Sequence, residues 1–202
     1  VVAWFGCTAQ PVYYGYDVAD GYVYSGEDRL ATAAAYAQQA AAIAGAVPAA
    51  PEGAEWLPLG IFALSPDEQT EPEVVVQLAA TRSGAVAGTY YHSAKGVARE
   101  IAGSIDKDSQ RVVWRVGGER GVVMETGLEN LTKDRAPALV HFPEGVTETW
   151  VMTRVSEEAA RRAEGLLRVE STRRDLAAAW EFLQRSLGDD WKAYLALPEQ
   201  VT

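Results

Sequence analysis

The chain has 202 residues, a formal net charge of −10 and a hydrophobic fraction of 48%. This length allows one domain with appendages, and the composition is typical of a folded globular protein. The acidic balance offers no basic face to a phosphate backbone, so nucleic acid is not expected as a partner. The sequence has no run of about eighteen apolar residues, so no transmembrane segment is predicted.

The sequence offers few Cys and His side chains that could bind a metal or form a disulfide. Cys7 is the single cysteine, and neither a CxxC motif nor a Cys/His cluster is present. An internal disulfide is therefore excluded, and we expect no metal site and no cofactor. A free thiol is expected at Cys7, while a bridge to a second chain or lipidation in the Gly6-Cys7 context stays open.

Residues 1–31 are rich in aromatic residues and poor in helix formers. The stretch "PVYYGYDVADGYVYSGEDRLA" places Tyr and Val on both sides of a turn at 19–21, and a second turn follows at 25–28. Strand-favouring residues around such turns predict a Tyr-rich hairpin or an extended arm.

Residues 32–55 predict a short helix followed by a Pro/Ala linker. The helix "TAAAYAQQAAAIAG" has Thr32 at its N-cap and Gly45 at its end, both of which suit those positions. The apolar face of this helix consists of Tyr36, Ala40 and Ile43. Because this face is narrow, we expect the helix to dock on a larger surface.

Residues 56–155 indicate short strands at regular spacing, each ended by turn residues. Short turns require antiparallel neighbours, because parallel pairs need long crossovers. Closing such a meander into a barrel removes both exposed edges. The predicted fold is therefore mainly β, an antiparallel up-and-down eight-stranded β-barrel. The strands are predicted at 59–64, 73–81, 86–93, 98–105, 110–117, 122–129, 137–142 and 147–155.

The strand at 110–117 shows the clearest alternation of polar and apolar residues. Its dry, inward side is predicted to carry Val112, Trp114 and Val116. Its wet, solvent-facing side is predicted to carry Gln110, Arg111 and Arg115. A sheet with one buried and one solvated face gives this pattern.

Residues 156–202 predict a C-terminal helical extension. Ser156 suits an N-cap, and Glu and Arg residues recur four apart in the favourable order. A nearly heptad apolar stripe includes Leu166, Val169, Leu176, Trp180, Leu183 and Leu187. Whether residues 157–187 form one helix or two, broken near Ser171-Thr172, stays open.

Several motifs in residues 59–155 resemble, in their order, the strands of avidin-like barrels. These motifs are "LGIFALS", "VVVQLAATRSGAVAGTYYHSAKG", "VVWRVGG", "METGLEN" and "ETWVMTRV". The resemblance implies the barrel fold, whereas the biotin pocket of that family does not carry over. Its Tyr-x-Ser becomes Tyr90-Tyr91-His92-Ser93, and the extra residue places Tyr90 and Ser93 on opposite faces.

A longer stretch, residues 12–155, is similar to a group of uncharacterised bacterial proteins labelled mu-protocadherin-like. The shared motifs are "VYYGYDV", "GYVYSG", "YAQQA", "EWLPLGIFAL", "DKDSQRVVWRV", "METGLENLT", "APALVHF" and "ETWVMTRV". This resemblance implies an exported protein, periplasmic or at the cell surface, and implies no activity.

The two histidines are the candidates for catalytic groups in this sequence. His92 and His141 could pair across the sheet, or act as acid and base with Glu125. No spacing in the sequence defines a triad or a metal site, so both are interpreted as strand residues with satisfied ring nitrogens. No catalytic residue is assigned, and the protein is not expected to be an enzyme.

Two functions follow as hypotheses. The first is an exported assembly module that binds a second copy or another envelope protein through its arm and its C-terminal helices. The partner-binding residues would be Val12, Tyr13, Tyr14, Tyr16, Leu176, Trp180, Leu183 and Leu187. The alternative is a barrel that holds a small apolar ligand through Tyr90, Trp114 and Trp150.

Overall fold

The computed structural model describes residues 2–7, 9–50 and 53–155. The N-terminal elements are a 3-10 helix at Val2–Phe5, β1 (Tyr16–Ala19), β2 (Tyr22–Ser25), β3 (Asp28–Thr32) and α1 (Ala33–Gly45). Eight strands follow: β4 (Trp56–Ser65), β5 (Val74–Thr81), β6 (Ala85–His92), β7 (Val97–Asp106), β8 (Arg111–Val116), β9 (Val123–Gly127), β10 (Arg135–His141) and β11 (Thr147–Arg154). A second 3-10 helix, Asn130–Thr132, lies between β9 and β10. The predicted C-terminal helices, with Leu176, Trp180, Leu183 and Leu187, fall outside the described residues.

Strands β4 to β11 form a closed antiparallel barrel in which every strand pairs with its neighbours in sequence. The barrel closes where β11 pairs with β4, with Val151 opposite Ser65. This confirms the predicted eight-stranded up-and-down barrel. Alternate residues of each strand point inward and form its core, which includes Phe62, Leu64, Val76, Leu78, Trp114, Met124, Ala138 and Met152.

A glycine permits the close approach of β5 and β6. A Cβ atom at Gly88 would lie 1.8 Å from the backbone oxygen of Gln77. No other residue fits at this position without displacing a strand, because the obstacle is backbone and cannot rotate away. At the turn before β6, Gly84 has a φ of 101°, a conformation that favours glycine.

The N-terminal 3-10 helix closes one end of the barrel. Val2 and Phe5 belong to the barrel core, and half-buried Trp4 and Cys7 pack against it. The guanidinium of Arg82, in the turn between β5 and β6, lies 5.1 Å from the centre of the Trp4 ring. The helix therefore lies across the end of the barrel at which β5 ends and β6 begins.

The Tyr-rich segment forms a small sheet that packs on the outside of the barrel. Strands β1, β2 and β3 pair in that order, so the predicted hairpin extends to a third strand. The tyrosine rings pack in a cluster with the outward side chain of Leu139 on β10. This cluster consists of Tyr14, Tyr16, Val23, Tyr36 and Leu139.

Helix α1 packs on the outer wall beside this sheet. Thr32 caps it, since its Oγ1 accepts a hydrogen bond from the Ala35 amide at 3.2 Å, as predicted. Ala40 and Ala44 pack on Val113 and Val123. No helix in the described part of the chain is long and apolar enough to span a bilayer.

The prediction of a solvent-facing outer side for β8 is wrong. Gln110 is fully buried, Arg111 is 4% exposed, and Arg115 is half-buried. The sequence alternation is real, but the outer wall is covered by α1 and the Tyr-rich sheet. The polar side of β8 is therefore an internal interface of the protein.

Candidate functional site

A cavity occupies the open end of the barrel. Its volume is about 390 Å³, and it lies where β6, β8 and β10 end and where β7, β9 and β11 begin. Aliphatic and aromatic side chains form most of its wall: Val74, Tyr90, Val97, Val116, Val122, Met124, Val140, Phe142 and Trp150. Trp114, the direct neighbour of Met124 across β8 and β9, is fully buried in the core.

Three aromatic side chains define the shape of the cavity. The ring centres of Phe142 and Trp150 are 6.4 Å apart with a tilt of 55°. The Trp150 indole donates a hydrogen bond to Glu148 Oε2 at 2.9 Å, which orients the ring. The Tyr90 hydroxyl is protonated at neutral pH and can donate a hydrogen bond, and burial raises its pKa still further from neutrality.

The structure brings together two of the three residues that were predicted to bind a ligand. Tyr90 and Trp150 both line the cavity. Trp114 points into the barrel as predicted but contributes to the packed core. Its Nε1 is buried and has no hydrogen-bond partner within the described residues.

The predicted partner-binding residues of the arm separate into two pairs. Tyr14 and Tyr16 are 9% and 4% exposed, because they pack against the chain's own barrel. Val12 and Tyr13 are 38% and 48% exposed. Only the second pair is available at the surface.

The cavity also carries polar residues that the sequence reasoning did not assign to it. Basic side chains at its edge are Lys95, Arg99 and Arg120, and His92 also lines it. The His92 Nε2 lies 3.9 Å from Glu73 Oε2, while its Nδ1 is buried without a hydrogen-bond partner in the described part of the chain. The alternation of side chains along β7 could have predicted Arg99 for the cavity, because Arg99 shares the inward-facing side of this strand with Val97 and Ile101.

A second polar feature is buried in the outer wall of the barrel. Arg111 donates to both carboxylate oxygens of Glu125, from Nε at 2.6 Å and from Nη2 at 2.9 Å. His141 Nε2 lies 2.7 Å from Glu125 Oε1, and His141 Nδ1 lies 2.9 Å from the Thr147 hydroxyl. A ring that donates at Nε2 and accepts at Nδ1 satisfies both of its nitrogens.

The order hydroxyl, imidazole, carboxylate in this network is the order of a hydrolytic triad. Thr147, His141 and Glu125 are 9%, 5% and 0% exposed, and Arg111 already binds the carboxylate. Burial of all members favours a structural role. The structure thus brings His141 to Glu125, and it leaves His92 on the inner side of the barrel, away from both.

Two tyrosines lie beside this network, and their pKa values are shifted. The Tyr16 hydroxyl lies 3.3 Å from the Tyr36 hydroxyl, and the Arg111 guanidinium lies 3.8 Å from the centre of the Tyr36 ring. Burial, together with the charge of Glu125, raises the pKa of both tyrosines. They therefore stay neutral, as hydroxyl groups enclosed beside an ion pair.

In comparisons with known proteins, the chain matches no family model, no curated protein and no solved structure. In residues 2–7, 9–50 and 53–155, no group of three or more His, Cys, Asp or Glu side chains is placed to hold a metal ion.

Proposed function

We propose that the protein binds a small, largely apolar molecule in the open end of its barrel. The observation that carries this proposal is the cavity of about 390 Å³. Ligand sites in proteins are concave and mostly apolar, with a few polar groups, and commonly measure roughly 300–1,000 Å³. The cavity at the barrel mouth has each of these properties.

The surroundings of the cavity support the same proposal. Its walls are strand ends of a closed barrel, so little ordering is needed when a ligand binds. Beneath it the barrel is filled by its own core, and the N-terminal 3-10 helix closes the other end. A ligand would therefore enter and leave through the mouth and would rest on the core. A polar group on it could satisfy the buried His92 Nδ1.

Titration with the neutral fluorophore N-phenyl-1-naphthylamine tests the proposal. The emission of the fluorophore should rise on binding. The fluorescence of Trp150, which lines the cavity, should be quenched. The substitution Val122→Trp would fill the cavity, because Val122 is part of its wall. Val47→Trp is the matched control, since Val47 is 46% exposed and follows α1 on the outside.

We expect Val122→Trp to abolish fluorophore binding and Val47→Trp to leave it unchanged. Far-ultraviolet circular dichroism and a thermal melt would establish that both variants are folded. Equal binding by the two variants would disprove the cavity as the binding site. Absence of binding and of quenching for a range of apolar compounds would disprove the proposed function.

A second candidate function, self-association or binding of another envelope protein, is favoured by one observation. Val12 and Tyr13 are exposed next to an edge strand, and exposed apolar residues often mark contacts. An exported location belongs to this candidate as a proposal from the sequence resemblance. Because Tyr14 and Tyr16 are part of a buried cluster, the test is the double substitution Val12→Ser, Tyr13→Ser. It should reduce the molar mass measured by light scattering, whereas Leu30→Ser, also at an exposed site, should not.

A further inference from the structure

The edge of the cavity concentrates positive charge on a protein whose net charge is −10. Lys95 lies in the turn between β6 and β7, Arg99 lies on β7, and Arg120 lies in the turn between β8 and β9. Three separate elements thus place a cation at one opening. Among residues 2–7, 9–50 and 53–155, no Asp or Glu side chain is part of the cavity wall.

Within the described residues, no carboxylate pairs with these three cations. The contacts to carboxylates among the described residues are made by other basic side chains, namely His92, Arg111, Lys133, Arg135 and His141. Two acidic side chains close in sequence to residues of the cavity wall, Glu73 and Glu148, have other partners. Glu73 lies beside His92, and Glu148 accepts the hydrogen bond of Trp150. Unpaired cations around an apolar opening attract a negative group.

The strand register explains how Arg99 reaches this position. Arg99 pairs with Tyr90 on the neighbouring strand, and both belong to the inward-facing set that lines the cavity. An inward arginine is tolerated here because its aliphatic stem can lie along the apolar wall while its guanidinium stays at the open edge. The Tyr90 hydroxyl, which has no hydrogen-bond partner within the described ranges, lies on the same wall.

We propose that the ligand is an amphiphile with an aromatic or aliphatic body and one carboxylate, and that Arg99 and Arg120, assisted by Lys95, bind the carboxylate. This inference rests on the proposed function. The body would contact Met124, Phe142 and Trp150 inside the cavity, and the carboxylate would remain at its edge. Arginine suits this task because its planar guanidinium can donate two parallel hydrogen bonds to one carboxylate.

A matched pair of compounds separates this inference from simple apolar binding. The acid 2-naphthoate and the neutral 2-naphthalenemethanol have the same ring system and differ in charge. Each would compete with N-phenyl-1-naphthylamine for the native protein and for the double variant Arg99→Gln, Arg120→Gln. Lys107→Gln is the charge control, because Lys107 lies near Arg82 at the opposite end of the barrel.

We expect the native protein to prefer the acid by about tenfold, which corresponds to charge-assisted contacts at an exposed edge. The double variant should bind both compounds alike, because it lacks the two cations that distinguish the acid from the alcohol. Lys107→Gln should behave as the native protein does. Raising the salt concentration from about 0.05 to about 0.5 M should weaken binding of the acid alone.

Two results would overturn the inference and leave the proposed function standing. One is equal affinity of the native protein for the acid and the alcohol. The other is a preference for the acid that persists in the double variant. If neither compound nor the fluorophore binds, the proposed function itself fails, and the inference fails with it.

Discussion

Arg111 and Glu125 form a bidentate ion pair inside the protein, with side chains that are 5% and 0% exposed. The pair lies between the barrel and the elements that cover its outer wall. Arg111 also donates to Gln39 of α1 at 3.1 Å, and Glu125 also contacts His141 of β10. One ion pair thus connects the helix, three barrel strands and the tyrosine cluster.

The first prediction concerns loss of one member of this pair. Glu125→Gln keeps the shape of the side chain and leaves Arg111 buried without a counter-charge. Breaking a buried pair in this way costs roughly 3–5 kcal/mol, and we expect the free energy of unfolding in urea to fall by that amount.

Glu68→Gln provides the control for Glu125→Gln. Glu68 pairs with Arg135 at 3.0 Å, but the two side chains are 67% and 53% exposed. Exposed pairs contribute less than about 1 kcal/mol, so this variant should unfold nearly as the native protein does. Similar small losses in both variants would contradict the stabilising role of the buried pair.

The second prediction concerns Asn130, which is fully buried and holds the arm on the barrel. Its Oδ1 accepts from the Tyr14 amide at 2.9 Å, and its Nδ2 donates to the Tyr14 carbonyl at 2.7 Å. Asn130→Ala leaves both backbone groups of Tyr14 without these partners, at a cost of about 1–3 kcal/mol for each buried group. Amide hydrogen exchange at Tyr14 should accelerate strongly, whereas Thr132→Ala, at an exposed site, should leave it protected.

The third prediction concerns the approach of β5 and β6. Gly88→Ala places a Cβ against the Gln77 backbone oxygen, and such overpacking costs about 1–3 kcal/mol or more. We expect a clear fall in melting temperature. Gly118→Ala is the matched control, because a Cβ there meets nothing within 4 Å. Equal melting temperatures for the two variants would contradict the close strand approach.

The fourth prediction concerns alkaline pH. The pKa of Tyr16 is raised in the folded protein, by burial first and by the charge of Glu125 second. The stabilising contribution of such a group is complete below the unfolded pKa of about 10 and is lost as pH rises beyond it, by about 1.4 kcal/mol per pH unit. Unfolding free energies measured from about pH 8 to about pH 11 should therefore fall.

Tyr16→Phe should make this alkaline decline less steep, because phenylalanine does not ionise. The slope of unfolding free energy against pH should fall by the contribution of one titrating group. Tyr13→Phe, at an exposed position, should give the native slope. A Tyr16→Phe curve parallel to the native curve would show that Tyr16 does not resist ionisation. The slopes are compared because Tyr16→Phe also removes the hydrogen bond to Tyr36.

Much of the fold could be predicted because its determinants are local. The short turns between strand-like segments required antiparallel neighbours, and Thr32 identified the start of α1. The environment of Arg111 could not be predicted in this way. Alternation separates the two sides of a strand, but it does not say whether the outer side meets water or another part of the chain. Here Gln110 accepts from the Val12 amide, 98 residues away.

The candidate site was partly predictable for the same reason. Tyr90 and Trp150 were selected as inward-facing aromatics of a barrel, and both line its cavity. Alternation alone does not say how far along the barrel a residue lies, so Trp114 was grouped with them although it belongs to the core. Alternation along β7 could assign Arg99 to the inward side, but Arg120 lies in a turn and joins Arg99 only because the closed barrel brings β7 and the β8–β9 turn to one opening.

The position of the N-terminal segment has a consequence for the order of folding. Tyr14 bonds to Asn130 across 116 residues of sequence, so it leaves the ribosome long before its partner exists. The Tyr-rich strands must wait until β8 to β10 have been translated before they can bury their rings. Contacts of such long range slow folding. Of the region from Val2 to Arg154, the first part to be synthesised is therefore expected to be among the last to reach its native place.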